Sequence, residues 1–196
     1  MVCGHGINDF KDRVNINGKI VREYCLWKSM LARCYSPIFH KQNPTYKGCE
    51  VEPFLLSFTN FYNFVRSLKG FGEVDEKGRP FQMDKDLLVK GNKTYSVDTI
   101  CFVPWEVNAF LTNNTAVRGD LPVGVVYHKR DDVYQATLRL YGKTTYLGSF
   151  ETPEAAFVAY KNAKEAQAKV LAEKWKDKID PRVYDALINY EVNIDD

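Results

Sequence analysis

Histidine is scarce in this chain of 196 residues: His5, His40 and His128 are all there are, widely spaced. Its five cysteines, Cys3, Cys25, Cys34, Cys49 and Cys101, form no Cys-x-x-Cys pair. Together these gaps speak against a disulfide framework or a zinc knuckle, because a zinc site would have to draw its ligands from distant segments. The cysteines read instead as buried free thiols. No stretch approaches the roughly 20 apolar residues that a membrane span needs, and the N-terminal MVCGHGINDF has no apolar core of a signal peptide. A cytoplasmic protein with no membrane partner is therefore expected. Charge of one sign is also lacking: the formal net charge is +2 and the pI is near 8.2. Bulk electrostatics neither demand nor exclude a polyanionic partner, so any nucleic-acid argument must rest on local pattern. Internal repeats and low-complexity tracts are absent.

What is present is material for cores, with 45% hydrophobic and 14% aromatic residues. That amount suits one large domain or two small ones. Tyr24, Trp27, Met30, Leu31 and Cys34 recur at three- and four-residue steps and predict a helix over 24–35. Pro53 is positioned to open a second helix, with Phe54, Phe58, Phe61, Val65 and Leu68 on its core face and Asn60, Asn63 and Arg66 on its wet face. Residues 70–80 read as a loop, followed by a short apolar strand in MDKDLLVKGNKTYS that ends at a Gly-Asn turn. TNNTAVRGD, residues 112–120, is polar and aperiodic, which predicts a linker between domains over 1–111 and 121–196.

Beyond that linker the period changes to two. VGVVY, VYQATLRL and KTTYLGSF predict a three-stranded antiparallel sheet with a tight turn at Tyr141-Gly142. Thr152 and Pro153 then start a helix whose stripe is Ala156, Phe157, Tyr160, Ala163, Val170 and Leu171, and Pro181 starts a last short helix. The fold class is α+β. Alternation sends Tyr134, Ala136, Leu138 and Leu140 toward the helix and Gln135, Thr137 and Arg139 to the other side. A two-residue turn would set Arg139 opposite Thr144, Thr137 opposite Tyr146 and Gln135 opposite Gly148. A flat sheet face of hydrogen-bonding groups has the dimensions to enter a DNA major groove, with Arg suited to guanine edges or phosphates. His128, Lys129 and Arg130 at the first hairpin would reach the flanking backbone. The plainer alternative is a wet sheet face with no ligand.

Gly124-Val125, the run Ala136 to Arg139, Tyr146-Leu147-Gly148-Ser149-Phe150 and Thr152-Pro153-Glu154-Ala155-Ala156 leading to Ala159-Tyr160 together resemble the APETALA-type DNA-binding domain of plant ethylene-response factors and many phage endonucleases. The resemblance covers residues 123–172. It implies that the uncovered sheet reads the major groove of double-stranded DNA through positions matching Val126, His128, Arg139 and Tyr146. The first strand carries less arginine than the plant domains.

Upstream, Asp84-Lys85, Asp98-Thr99-Ile100-Cys101-Phe102-Val103-Pro104 and Asn108 resemble the His-Asn-His core of phage homing endonucleases. Tyr24, Trp27, Met30, Arg33-Cys34-Tyr35, Pro44-Thr45-Tyr46 and Phe58-Asn60-Phe61 resemble the segment that precedes that core. This likeness implies a ββα-metal-type nuclease domain with Asp84, Lys85, Thr99 and Asn108 at the catalytic positions, and Asp84 and Asn108 as ligands of magnesium or manganese. Two departures stand out. Lys85 replaces the histidine that would activate water, and a lysine between Asp84 and Asp86 favours its charged form, which cannot accept a proton. Thr99 replaces the orienting asparagine. A charged lysine suits gripping a phosphate better than cleaving one. Considered without the family, residues 84–86 are a solvated strand end and Asn108 a polar helix residue.

The expectation is a duplex DNA-binding protein of phage or mobile-element type, derived from a nuclease, weak or inactive in cleavage, and needing no cofactor to bind. Two alternatives remain: an active endonuclease dependent on magnesium or manganese, or a protein whose exposed aromatic segments engage a protein partner in regulation or counter-defence.

Overall fold

The computed structural model describes residues 1–111 and 121–194, so the expected linker over 112–120 lies outside the described residues. The chain is α+β and divides into two compact units, Met1–Pro104 and Trp105–Asp196.

In the first unit, strands β1 (Asn15–Ile16) and β2 (Lys19–Ile20) form a small hairpin. Its turn places Asn17 and Gly18 at φ 53° and 79°, the left-handed geometry that matches strand twist. Helix α1 (Arg22–Tyr35) follows and buries Trp27, Met30, Leu31 and Cys34, the periodic face expected from sequence. The Trp27 indole donates to the Leu55 carbonyl over 3.0 Å, so the largest core side chain also has its polar atom satisfied. A short helix α2 (Pro37–Gln42) follows, for which the periodicity gave no signal; Pro37 presets its first turn and the Ser36 hydroxyl accepts from the Phe39 amide at 3.3 Å.

The second expected helix starts later than its proline. Pro53–Leu56 forms a 3-10 turn, and α3 (Phe58–Ser67) begins after Ser57, whose extended backbone and hydroxyl, 3.2 Å from the Asn60 amide, form the N-cap. Asp9 adds a second cap, accepting from the Thr59 amide at 2.9 Å and from the hydroxyls of Ser57 and Thr59. The consequence is a correction: Phe54 is 50% exposed rather than in the core stripe, while Phe58, Phe61 and Val65 are buried. Strands β3 (Glu50–Val51) and β5 (Thr94–Tyr95) pair in parallel, and β4 (Gln82–Asp84) pairs antiparallel with β6 (Cys101–Val103). The strand expected in MDKDLLVKGNKTYS is therefore confined to its first residues, and Leu87 and Leu88 fall in the following loop.

The second unit opens with helix α4 (Trp105–Leu111). Strands β7 (Val125–His128), β8 (Val133–Leu140) and β9 (Lys143–Phe150) form an antiparallel sheet in that order, as the period-two pattern predicts. Helix α5 (Pro153–Trp175) lies on one face of this sheet, and α6 (Pro181–Ile188) packs on α5. The Thr152 hydroxyl caps α5 by accepting from the Ala155 amide at 3.2 Å. Val125, Ala136 and Leu138 of the sheet meet Ala156, Phe157 and Tyr160 of the helix in a buried core. Val125, Leu138 and Phe157 each contribute about 1.5–3 kcal/mol of hydrophobic stabilisation. Val170 is 58% exposed, outside the stripe assigned to it from sequence, because Ala168, Leu171 and Ala172 take the inward positions on that turn. Gly124 adopts φ 78° directly over Tyr160, where an added Cβ would sit 2.1 Å from the ring. After α6 the chain returns to α5, burying Val192 in the sheet–helix core; the Lys161 ammonium donates to its carbonyl at 2.9 Å and its amide donates to Glu165 at 3.1 Å.

Candidate nucleic-acid interface

The register of the sheet determines which side chains share its uncovered face. Val126 pairs with Gln135, His128 with Val133, Thr137 with Tyr146 and Arg139 with Thr144. Directly paired residues point to one side, so Val126, His128, Gln135, Thr137, Arg139, Thr144 and Tyr146 lie together, opposite the face packed on α5. One expected pairing is corrected. Gln135 stands opposite Ser149, not Gly148, because a register shift between Ala136 and Thr137 leaves Leu147 as an extra residue on β9. The bulge lets Leu147 join the core while Tyr146 stays out, and it places Gly148 at φ 145°, a conformation that suits glycine.

The resulting surface combines hydrogen-bonding, aromatic and apolar groups. Its seven side chains include no carboxylate. Val126 and Tyr146 are 55% and 59% exposed, and the Tyr146 hydroxyl shares a 2.8 Å hydrogen bond with Ser149, which steadies the ring. Arg139 is exposed and has no partner among the described residues, so its guanidinium donors are uncommitted there.

The β7–β8 turn differs. Arg130 donates to Asp131 through Nε at 2.9 Å, and His128 Nδ1 lies 3.3 Å from the same carboxylate without alignment for a hydrogen bond. The Arg130 guanidinium, outweighing the small burial penalty and helped by His128, holds the Asp131 carboxyl below its ordinary range. The Tyr127 hydroxyl donates to Asp132. Both carboxylates were missed from sequence, though Asp131-Asp132 directly follows the cations whose charge it offsets.

In the first unit, the expected catalytic positions are tied into local structure. Asp84 ends β4, and its Oδ1 accepts from the amides of Asp86 and Leu87 at 2.8 Å each. Burial pushes its carboxyl up despite those amides. Lys85 is buried; its ammonium donates to Asp86 and, at 2.7 Å, to the Asn92 carbonyl, and it lies 5.6 Å from the Tyr95 ring centre. Thr99 is buried too, with its hydroxyl 2.8 Å from the Thr94 carbonyl and 3.1 Å from the Ser96 amide, holding the 94–99 loop. Asn108 belongs to α4 in the second unit. Of the residues expected to hold magnesium or manganese, Asp84 retains one oxygen without a hydrogen-bond partner among the described residues; no three His, Cys, Asp or Glu side chains converge to form a metal site there. His5 stacks on Tyr35 at 3.9 Å, and His40 Nε2 bonds the Arg33 carbonyl at 2.7 Å. Among the described residues no helix is long and apolar enough to cross a membrane.

No protein-family model, no curated protein and no solved structure matches this chain.

Proposed function

We propose that the chain binds duplex DNA through the uncovered face of the β7–β8–β9 sheet. The observation that carries this reading is the carboxylate-free face on which Arg139 has no partner among the described residues while Tyr146, Thr137, Thr144, Gln135 and Val126 share its side of the sheet. A groove-binding face requires both an absence of acids and a cation free to reach bases or phosphates. The likeness of residues 123–172 to the APETALA-type domain supports the same assignment. Lys129, and Arg130 once released from Asp131, would reach phosphates beside the groove.

Cleavage is not part of this proposal. With Lys85 buried and its donors engaged, a general base at that position is lacking, which favours a binding protein derived from the nuclease it resembles over an active magnesium- or manganese-dependent enzyme. The test is to incubate the protein with supercoiled and linear duplex under magnesium, manganese or chelator, scoring mobility and nicking on one gel. A salt-sensitive shift without nicking, lost in Arg139→Ala with Tyr146→Ala, is expected. Metal-dependent nicking abolished by Asp84→Ala would establish the endonuclease instead, and neither signal would point to a protein partner.

A further inference from the structure

The first unit contains a half-buried cation that donates no hydrogen bond to a carboxylate among the described residues. Arg33, on the last turn of α1, is half-buried, and among the described residues its guanidinium makes one hydrogen bond, from Nη1 to the Tyr95 hydroxyl at 3.2 Å. It also lies 5.5 Å from the Tyr46 ring centre. Other arginines of the same unit are served differently: Arg22 donates to the carbonyls of Phe71 and Phe81, Arg66 to Glu23 at 2.8 Å and Arg79 to Asp75 at 2.6 Å. Taking a guanidinium partly out of water without an anionic hydrogen-bond partner is costly, and such a group is a standing acceptor of a negative ligand.

Its surroundings have the same character. Between Glu23 and Glu50 the chain has no carboxylate but carries Lys28, Arg33, Lys41 and Lys47. Four interactions gather part of that stretch around Arg33. The Arg33 carbonyl takes the His40 bond, Phe39 packs edge-on against Tyr46 at 5.5 Å, Lys47 caps the Pro44–Tyr46 turn, and the Lys93 ammonium donates to the Thr45 carbonyl at 2.7 Å. Tyr95 is buried; its hydroxyl accepts from Arg33, and its own proton has no acceptor among the described residues. Burial also keeps that hydroxyl protonated well beyond the ordinary tyrosine range. Asp84 is the carboxylate whose charge reaches Arg33, without a hydrogen bond between them.

We propose that Arg33 and the Tyr95 hydroxyl, with Tyr46 as a wall and Lys47 and Lys93 at the rim, form a second phosphate-binding site that takes a phosphodiester of a nucleic-acid backbone. A planar guanidinium with several unspent donors beside a hydroxyl proton matches a tetrahedral oxyanion. The site is in the first unit and stands independently of the sheet face.

The experiment uses the full chain and follows the Arg33 Nε–H resonance during titration with a short duplex DNA and, separately, with inorganic phosphate. Shifts that saturate at micromolar duplex but need far higher phosphate are expected. Saturation by phosphate with no response to duplex would overturn the nucleic-acid assignment, and silence toward both would overturn the site. In parallel, Lys47→Glu, an exposed change that leaves the Tyr95 hydrogen bond intact, should weaken duplex binding at least tenfold and lower the salt slope by about one for each phosphate no longer neutralised. In the Arg139→Ala, Tyr146→Ala background, where the sheet-dependent mobility shift is lost, the Arg33 resonance should still respond to duplex at higher concentration and lose that response on Lys47→Glu. That background separates the two sites: an Arg33 response that survives there while those changes leave affinity unaltered would reject the sheet face and keep this one.

Discussion

Lys85 and Asn92 hold each other reciprocally: the lysine ammonium donates to the Asn92 main-chain carbonyl at 2.7 Å, and the Asn92 amide donates back to the Lys85 carbonyl at 2.8 Å. The Asn92 amide also reaches the Thr94 carbonyl at 2.7 Å, so one pair closes the loop between β4 and β5. Lys85 is thus a fastening of the loop in the position where a catalytic histidine was expected.

That fastening predicts coupled energetics. Lys85→Met and Asn92→Ala should each lower stability by about 2 kcal/mol, since each strands a polar partner out of water. The double mutant should lose less than the sum by about 1 kcal/mol or more. Urea unfolding of all four proteins measures this, and strict additivity would show that the two residues act separately.

Gly124→Ala should be among the most damaging single-methyl additions in the second unit. It places a side chain at φ 78° and drives Cβ into the Tyr160 ring. Left-handed strain alone costs about 1–2 kcal/mol, and the clash adds to it, so a fall in melting temperature on the order of 10 °C is expected. A melting curve unchanged from the parent would mean that the ring moves aside freely.

Lys164 gives the second unit an unusual alkaline response. It is buried on α5, donates to the Phe110 carbonyl and lies 4.0 Å from the Phe110 ring centre, and burial lowers its pKa to about 8. Unfolding returns the group toward its ordinary 10.5, so between pH 8 and 10.5 the unfolded chain binds more protons than the folded one. Stability supplied by this group therefore rises with pH across that window, by at most about 1.4 kcal/mol per unit. Denaturant midpoints at pH 7, 8, 9 and 10 should climb relative to Lys164→Met, which lacks the proton. Parallel profiles for the two proteins would contradict it.

Asp131→Asn should tighten duplex binding. The change releases Arg130 and His128 and removes a negative charge beside the proposed phosphate path. Because the pair is exposed and worth about 1 kcal/mol or less, the gain should be roughly three- to fivefold at low salt and vanish at high salt. Fluorescence anisotropy at two salt concentrations would detect it; weaker binding would mean that Asp131 orients Arg130 for its ligand rather than competing for it.

Period and turn chemistry made the second unit readable. The alternation in VYQATLRL, the Tyr141-Gly142 turn and the Thr152-Pro153 start are local signals, and each element formed where they placed it. What escaped was non-local. The bulge at Leu147 answers to core packing, which no two-residue count contains, and it moved Gln135 opposite Ser149. In the first unit the start of α3 depends on Asp9, 48 residues before Ser57, and on the 3-10 turn that Pro53 opens instead of a helix. Lys85 was legible as a departure from a catalytic pattern, but not as a buried tether, since its partner Asn92 is identified by the loop closing and not by any motif. Arg33 is visible in the sequence only within a resemblance; its unspent donors become visible with its neighbours.

The returning segment after α6 makes the end of the second unit mechanically part of its core. Because Val192 is plugged beneath the sheet and clasped at both its amide and its carbonyl by Glu165 and Lys161, tension applied beyond residue 194 would load that clasp on α5 before it reached any strand. A passenger fused there would hang from a latch rather than a loose tail, and a protease trimming back past Val192 would unplug the core it closes.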